Sequence, residues 1–201
     1  ALNCENNRDE RSRYLLVENR KVENYVDMAL YYARMDAVYK DYMIAETNLQ
    51  EVAQQVLLQN KYYLIQSHVK AEVACPDTVY SDKKWIAFIL NQLIQNSVKY
   101  GRSEGTHIQI VTKKTKRGVL LRVKDDGIGI PKEEIPRIFE KGFTGTNGRN
   151  RERSTGMGLY LCRKLCDKLN IEIRAESAEG KGTEIILMFP VSDYLTGYRE
   201  T

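Results

Sequence analysis

The strongest constraint on this fold is a change of hydrophobic period halfway along the chain. From Trp85 through Phe88, Ile89, Leu93 and Ile94 to Tyr100, apolar residues recur at helical spacing, with Asp82 placed to cap the start. Directly afterwards, His107 to Thr112 and Val119 to Val123 alternate at period two around a Lys/Gly turn. Ile171 to Glu176 and Thr183 to Phe189 repeat that pattern around Glu179-Gly180-Lys181-Gly182. Upstream, Thr47 or Asn48 is placed to cap a helix carrying Leu49, Val52, Ala53, Val56 and Leu57. Tyr62 to Ala74 reads as strand, ending at Cys75-Pro76-Asp77. A short helix follows Pro131, and Gly156 opens another that runs to about Leu169. This order predicts an α/β (α+β) sandwich: a mixed, mostly antiparallel sheet covered by helices on one face.

A long helix precedes it. Between Arg8 and Tyr39 the chain is charged and helical in period, with Leu15, Val22, Val26, Ala29 and Ala33 on one stripe and Tyr25 and Tyr32 flanking it. A single seam on so long a helix needs a partner, either another helix of a bundle or the chain's own domain. The expected organisation is a helical segment at 1–45, a compact domain at 46–193 and a tail at 194–201.

With 42% hydrophobic and 29% charged residues, the composition is that of a folded, soluble domain. No apolar run approaches the roughly 18 residues that a membrane helix needs, and no signal peptide opens the chain. A net charge of +4 with both signs interspersed argues against a nucleic-acid partner. Of the four cysteines, Cys162 and Cys166 stand four apart on a helix but lack the further ligands a zinc site uses; buried thiols in a reducing compartment are the expectation.

Four polar or glycine-bearing motifs fall in order across the second half. They are Asn91-Gln-Leu-Ile-Gln-Asn96-Ser-Val-Lys99-Tyr100, Asp125-Asp-Gly127-Ile-Gly129-Ile-Pro131, Ile138-Phe-Glu-Lys141-Gly-Phe-Thr144-Gly145, and Ser154-Thr155-Gly156-Met157-Gly158-Leu159. Gly180-Lys-Gly-Thr183 is a weaker fifth. Each alone fits an ordinary turn or helix end; the ordered set is far more specific.

That set resembles the ATP-binding domain of bacterial sensor histidine kinases, within the wider group that holds the gyrase, heat-shock and mismatch-repair ATPases. The resemblance covers about residues 46–192. It implies that Asn96 supplies an oxygen to Mg²⁺, a metal that otherwise keeps waters and phosphate oxygens. Lys99 then reaches a phosphate, Tyr100 lies against adenine or its rim, and Asp125 accepts the adenine amino group, which an acceptor-only carboxylate suits. Gly127 and Gly129 let the backbone pass close to the base, and Thr183 follows on the closing hairpin. Gly156, Met157, Gly158 and Leu159 open a helix whose N-terminal amides suit phosphate. Thr144, Gly145 and the segment to Thr155 form a lid. Four basic side chains from Lys141 to Arg153, Arg149 among them, against Glu152 give that stretch a net +3.

One position departs from the family: Gln92 stands where kinases usually have asparagine and hydrolytic relatives have a water-activating glutamate. An amide is no general base, so transfer is favoured over hydrolysis. Tyr25 to Asp36 resembles the second helix of the dimerisation and phosphotransfer bundle. With Gly142 to Arg149, it looks most like the bacitracin-responsive, intramembrane-sensing kinases that work with peptide transporters. His68 and His107 both fall on expected strands without the acid and proline that follow a phosphoacceptor. The acceptor histidine is therefore expected on a segment absent from these 201 residues, with Ala1 to Asn3 foreign to the natural chain. The resemblance further implies ATP and Mg²⁺ as cofactors, a response regulator as partner, a homodimer through the helical bundle, and a cytoplasmic domain of a membrane-anchored parent. A non-catalytic regulatory module and an ATP hydrolase are the rival readings.

Overall fold

The computed structural model describes residues 42–146 and 155–191, together with residues 15, 18–19, 22–23, 25–26 and 28–32 of the N-terminal stretch. Arg149, the centre of the lid and the 194–201 tail lie outside the described residues.

The elements run β1 (Ala45–Asn48), α1 (Leu49–Gln59), α2 (Lys61–Gln66), β2 (Val69–Ala74), β3 (Thr78–Ser81), α3 (Lys83–Lys99), β4 (Thr106–Thr115), β5 (Gly118–Asp125), a 3-10 turn (Ile135–Arg137), α4 (Gly158–Lys168), β6 (Glu172–Ser177) and β7 (Thr183–Pro190). Five strands form one sheet in the order β2-β4-β5-β7-β6. Only β2 and β4 are parallel; the other neighbours are antiparallel. β1 and β3 form a separate antiparallel pair. This is the expected mixed, mostly antiparallel sandwich.

Period two puts Ile108, Ile110, Leu121, Val123, Ile185, Leu187 and Phe189 on one face of the sheet, all buried. Against them pack Leu49, Val52 and Val56 of α1, Ile86, Ile89, Leu90 and Leu93 of α3, and Leu161 and Leu165 of α4. Asp82 caps α3, accepting from the N–H groups of Lys84 at 2.9 Å and Trp85 at 3.4 Å, and also takes Met43 N–H at 2.9 Å. Asn48, rather than Thr47, caps α1 by accepting from Glu51 N–H at 3.1 Å; the Thr47 hydroxyl donates to the Ser81 carbonyl across the β1–β3 pair.

Two expectations need correction. Tyr62 to Gln66 is helical, so the strand is confined to Val69–Ala74. Leu64 is buried while Tyr62 and Ile65 are exposed, which is helical and not alternating burial. His68 is no strand residue either: its φ of 53° puts it in the turn that ends α2.

Every described residue of the N-terminal stretch is helical. Its expected seam, Leu15, Val22 and Val26, is exposed, whereas Met28 and Tyr31 pack on the domain. The Tyr31 ring lies 4.8 Å from Trp85 and 4.4 Å, edge-on, from Phe88. No helix among the described residues is long and apolar enough to cross a membrane.

Candidate nucleotide site

The site is a cavity of about 770 Å³ between α3, the end of β5, the start of β7 and the N-terminus of α4, a size suited to a nucleotide. At one end stands Asp125, the last residue of β5. Its Oδ1 accepts from Gly127 N–H at 3.0 Å and Thr183 N–H at 3.1 Å, and its Oδ2 from the Ser97 hydroxyl at 2.9 Å. Burial raises its pKa, and the hydrogen bonds from Ser97, Gly127 and Thr183 oppose that rise. A carboxylate offers about four acceptor positions, so one remains, on Oδ2, for an outside donor.

The backbone around this acid is close-packed. A Cβ on Gly127 would stand 2.5 Å from the Tyr100 carbonyl, and one on Gly182 would stand 2.0 Å from that of Asp125. Gly129, at φ 71°, faces the Ala178 carbonyl, 2.0 Å from where a Cβ would sit. Ile128 N–H donates to the Tyr100 carbonyl and Gly180 N–H to that of Ile128, so three loops meet beneath this end of the cavity.

Toward the other end, Asn96 and Lys99 line the cavity from α3, and Gly156, Gly158 and Leu159 line it from the start of α4. Among the described residues the Asn96 side chain makes no hydrogen bond, which leaves its amide oxygen for a cation. Met157 precedes α4 without a side-chain cap, so first-turn amides of the helix point outward, as an anion requires. Gln92 reaches this end too: its Oε1 would stand 2.8 Å from a Cβ on Gly158. The lid joins at a neck, where Gly142 N–H donates to the Gly156 carbonyl at 3.1 Å. Glu134 accepts from the Thr146 N–H and hydroxyl at 2.9 and 2.6 Å, pinning the lid's first turn.

Of the expected site residues, Asn96, Lys99, Tyr100, Asp125, Gly129, Thr144, Gly145, Thr155, Gly156, Gly158, Leu159 and Thr183 line the cavity. Gly127 sits just behind it as a donor to Asp125. Lys141 does not line it; its ammonium bonds the Tyr32 hydroxyl of the N-terminal helix. Met157 N–H donates to the Thr155 hydroxyl at 3.3 Å, so that amide is already engaged. Ser97 escaped the sequence reading, although a hydroxyl between Asn96 and Val98 on a helix this apolar was a visible signal. Leu93, Val123, Ile130 and Ile185 supply apolar lining. Cys162 and Cys166 are buried, the latter thiol pushed up to about 12, and take no part.

Residues 81–193, more than half of the chain, match the family of histidine kinase-, DNA gyrase B- and HSP90-like ATPases. The sensor histidine kinase YxdK of Bacillus subtilis is 34% identical over 86% of this chain and 54% of its own length. The sensor kinase GraS of Staphylococcus aureus is 36% identical over 92% and 53%. The chain thus spans about half the length of these curated relatives. Among solved structures, the nucleotide-free catalytic domain of the histidine kinase ThkA superposes with a TM-score of 0.63 at 26% identity, covering 74% of this chain and 97% of that one. A motif set in family order, a cavity that gathers it and relatives along most of the chain converge: this protein belongs to the histidine kinase-, DNA gyrase B- and HSP90-like ATPase family.

Proposed function

We propose that the domain binds Mg²⁺-ATP and presents the γ-phosphate to a histidine carried elsewhere in a longer protein, from which an aspartate of a response regulator receives it. The observation that carries this reading is Asp125, half-buried at one end of the cavity with three internal donors and one acceptor position left over. That position suits the adenine amino group and rejects a guanine carbonyl. Asn96 would hold Mg²⁺, whose charge draws the phosphate oxygens together and neutralises them in the transition state. Lys99 and the start of α4 then orient the phosphate chain, while Gln92 beside Gly158 offers an amide where a hydrolase needs a base. Because the acceptor arrives from outside the domain, positioning supplies most of the rate enhancement.

The same assignment makes 1–45 part of a dimerising helical bundle, 46–193 the catalytic domain and 194–201 a tail. The exposed seam of Leu15, Val22 and Val26 supports it by offering a face to a partner helix. ThkA, a structural neighbour, has been solved with the response regulator TrrA, and ShkA with AMPPNP. A membrane-anchored parent with this domain in the cytoplasm, and a peptide transporter as its signalling partner, complete the reading.

Calorimetric titration with a non-hydrolysable ATP analogue tests it, with and without Mg²⁺. The wild-type chain should bind saturably. Asp125→Asn should weaken binding tenfold or more, the scale of one hydrogen bond to a charged group. Asn96→Ala should abolish the Mg²⁺ dependence while leaving metal-free affinity nearly unchanged. Flat heats on folded wild-type protein would sink the proposal in favour of a non-catalytic module.

A further inference from the structure

Arg102 lies two residues beyond the Asn96–Tyr100 motif, on the exposed turn between α3 and β4. It nevertheless joins the loops that surround Asp125. Its backbone N–H donates to the Thr106 hydroxyl at 2.8 Å, and Thr106 is only 4% exposed. Gly101 beside it leaves no room for a Cβ, which would sit 2.3 Å from that same hydroxyl. The root of the arginine is therefore fixed. From there Nε donates to the Asp126 carbonyl at 2.8 Å and Nη2 to the Gly180 carbonyl at 2.5 Å.

These two carbonyls belong to the two loops that hold the base-reading acid. Asp126 follows Asp125 directly and is itself tied to β4, its Oδ1 accepting from His107 N–H at 2.8 Å. Gly180 leads into Thr183, whose N–H holds Asp125 Oδ1. A tie already exists on the Gly129 side, where Ile130 N–H donates to the Ser177 hydroxyl at 2.9 Å. Arg102 adds the tie on the Asp126 side.

We propose that Arg102 is a positioning residue for base recognition: its guanidinium clamps the β5 exit loop to the β6–β7 turn and so fixes the direction in which Asp125 Oδ2 points. This rests on the nucleotide reading above. An exposed arginine paired with one surface carboxylate contributes little. A rigid guanidinium fork that spans two carbonyls from separate loops is different, because both donors are set by one planar group. Removing it leaves the Gly180 turn held to the exit loop through the Ile128 carbonyl but releases the Asp126 carbonyl, so the residue that follows Asp125 loses its tie and Asp125 loses its aim. Contacts to sugar and phosphate come from α3 and α4 and do not pass through this clamp. The loss therefore falls on a single functional group of the base, the exocyclic amine.

The test compares two ligands, ATP and purine riboside triphosphate, in which hydrogen replaces that amine. Each is titrated with Mg²⁺ into the wild-type chain, Arg102→Ala and Arg102→Lys, alongside a denaturation midpoint for every variant. The wild type should prefer ATP by roughly tenfold or more. Arg102→Ala should lose most of that preference through weaker ATP binding, with affinity for the analogue unchanged. Arg102→Lys should fall between, since one ammonium does not span both carbonyls. Equal weakening of both ligands in Arg102→Ala, or an unchanged ratio, would overturn the inference. Full preference retained with lysine would overturn the two-carbonyl clamp. A wild type that binds neither ligand would overturn the nucleotide reading itself, and one that binds both equally would remove Asp125 as the base reader along with this inference.

Discussion

The two ends of the cavity differ in how many of their polar groups are already engaged. Around Asp125, three loops are cross-linked by hydrogen bonds between residues far apart in sequence, and Gly127, Gly129 and Gly182 have no spare space. Around Asn96 and the lid, the amide of Asn96 is unengaged among the described residues, and a Cβ on Gly142 would meet nothing within 4 Å. A flat base with a fixed donor pattern is discriminated by acceptors that do not move. A phosphate chain with its metal is better served by groups that can follow it as charge redistributes. On the proposed function, selectivity is stored in one end and adaptability in the other.

That contrast can be broken most directly at the glycines. Gly129→Ala should destabilise the fold by more than about 3 kcal/mol, because a left-handed backbone and a clash with the Ala178 carbonyl coincide; the denaturation midpoint measures it. Gly142 also has a positive φ, 76°, but open surroundings. Gly142→Ala should therefore cost only about 1 kcal/mol, and an equal cost at both glycines would erase the distinction.

Acidification sharpens the comparison with a smaller effect. Burial holds the Asp125 pKa above the ordinary 3.8, so the folded state takes up this proton at higher pH than the unfolded chain does. The group's contribution to stability therefore declines as pH rises from 3.8 through the raised value. Binding runs the other way: protonation turns an acceptor into a donor facing the adenine amine. ATP affinity should fall as pH drops through that raised value, whereas affinity for an analogue lacking the amine should change less. Parallel pH profiles for the two ligands would remove the acid from base recognition.

Much of this was legible in the sequence because it depends on local chemistry. Asp82 caps, the 106–115 and 118–125 hairpin pairs, and Asn96, Asp125 and Gly156 meet at one cavity because their motifs carry their own geometry. What stayed hidden depends on partners distant along the chain. β1 and β3 are four-residue strands whose sequences carry no alternation long enough to read, and they exist through each other. The parallel pairing of β2 with β4 leaves no local trace. Tyr62, Tyr63 and Ile65 favour strands by propensity, yet burial of Leu64 beneath a short helix overrides it. Lys141 belongs to a basic stretch that reads as phosphate-binding, but its ammonium meets Tyr32, more than a hundred residues upstream.

The neck between Gly142 and Gly156 has a consequence for how such domains diversify. Because Gly142 N–H and the Gly156 carbonyl meet in one hydrogen bond, the two ends of the intervening segment are held together whatever its length. Doubling the length of such a segment adds only about 0.6 kcal/mol of closure entropy. Sequence can be inserted, trimmed or exchanged there while strands and helices keep their register, so this is where a lineage would graft new regulation, and where an engineer should place a reporter.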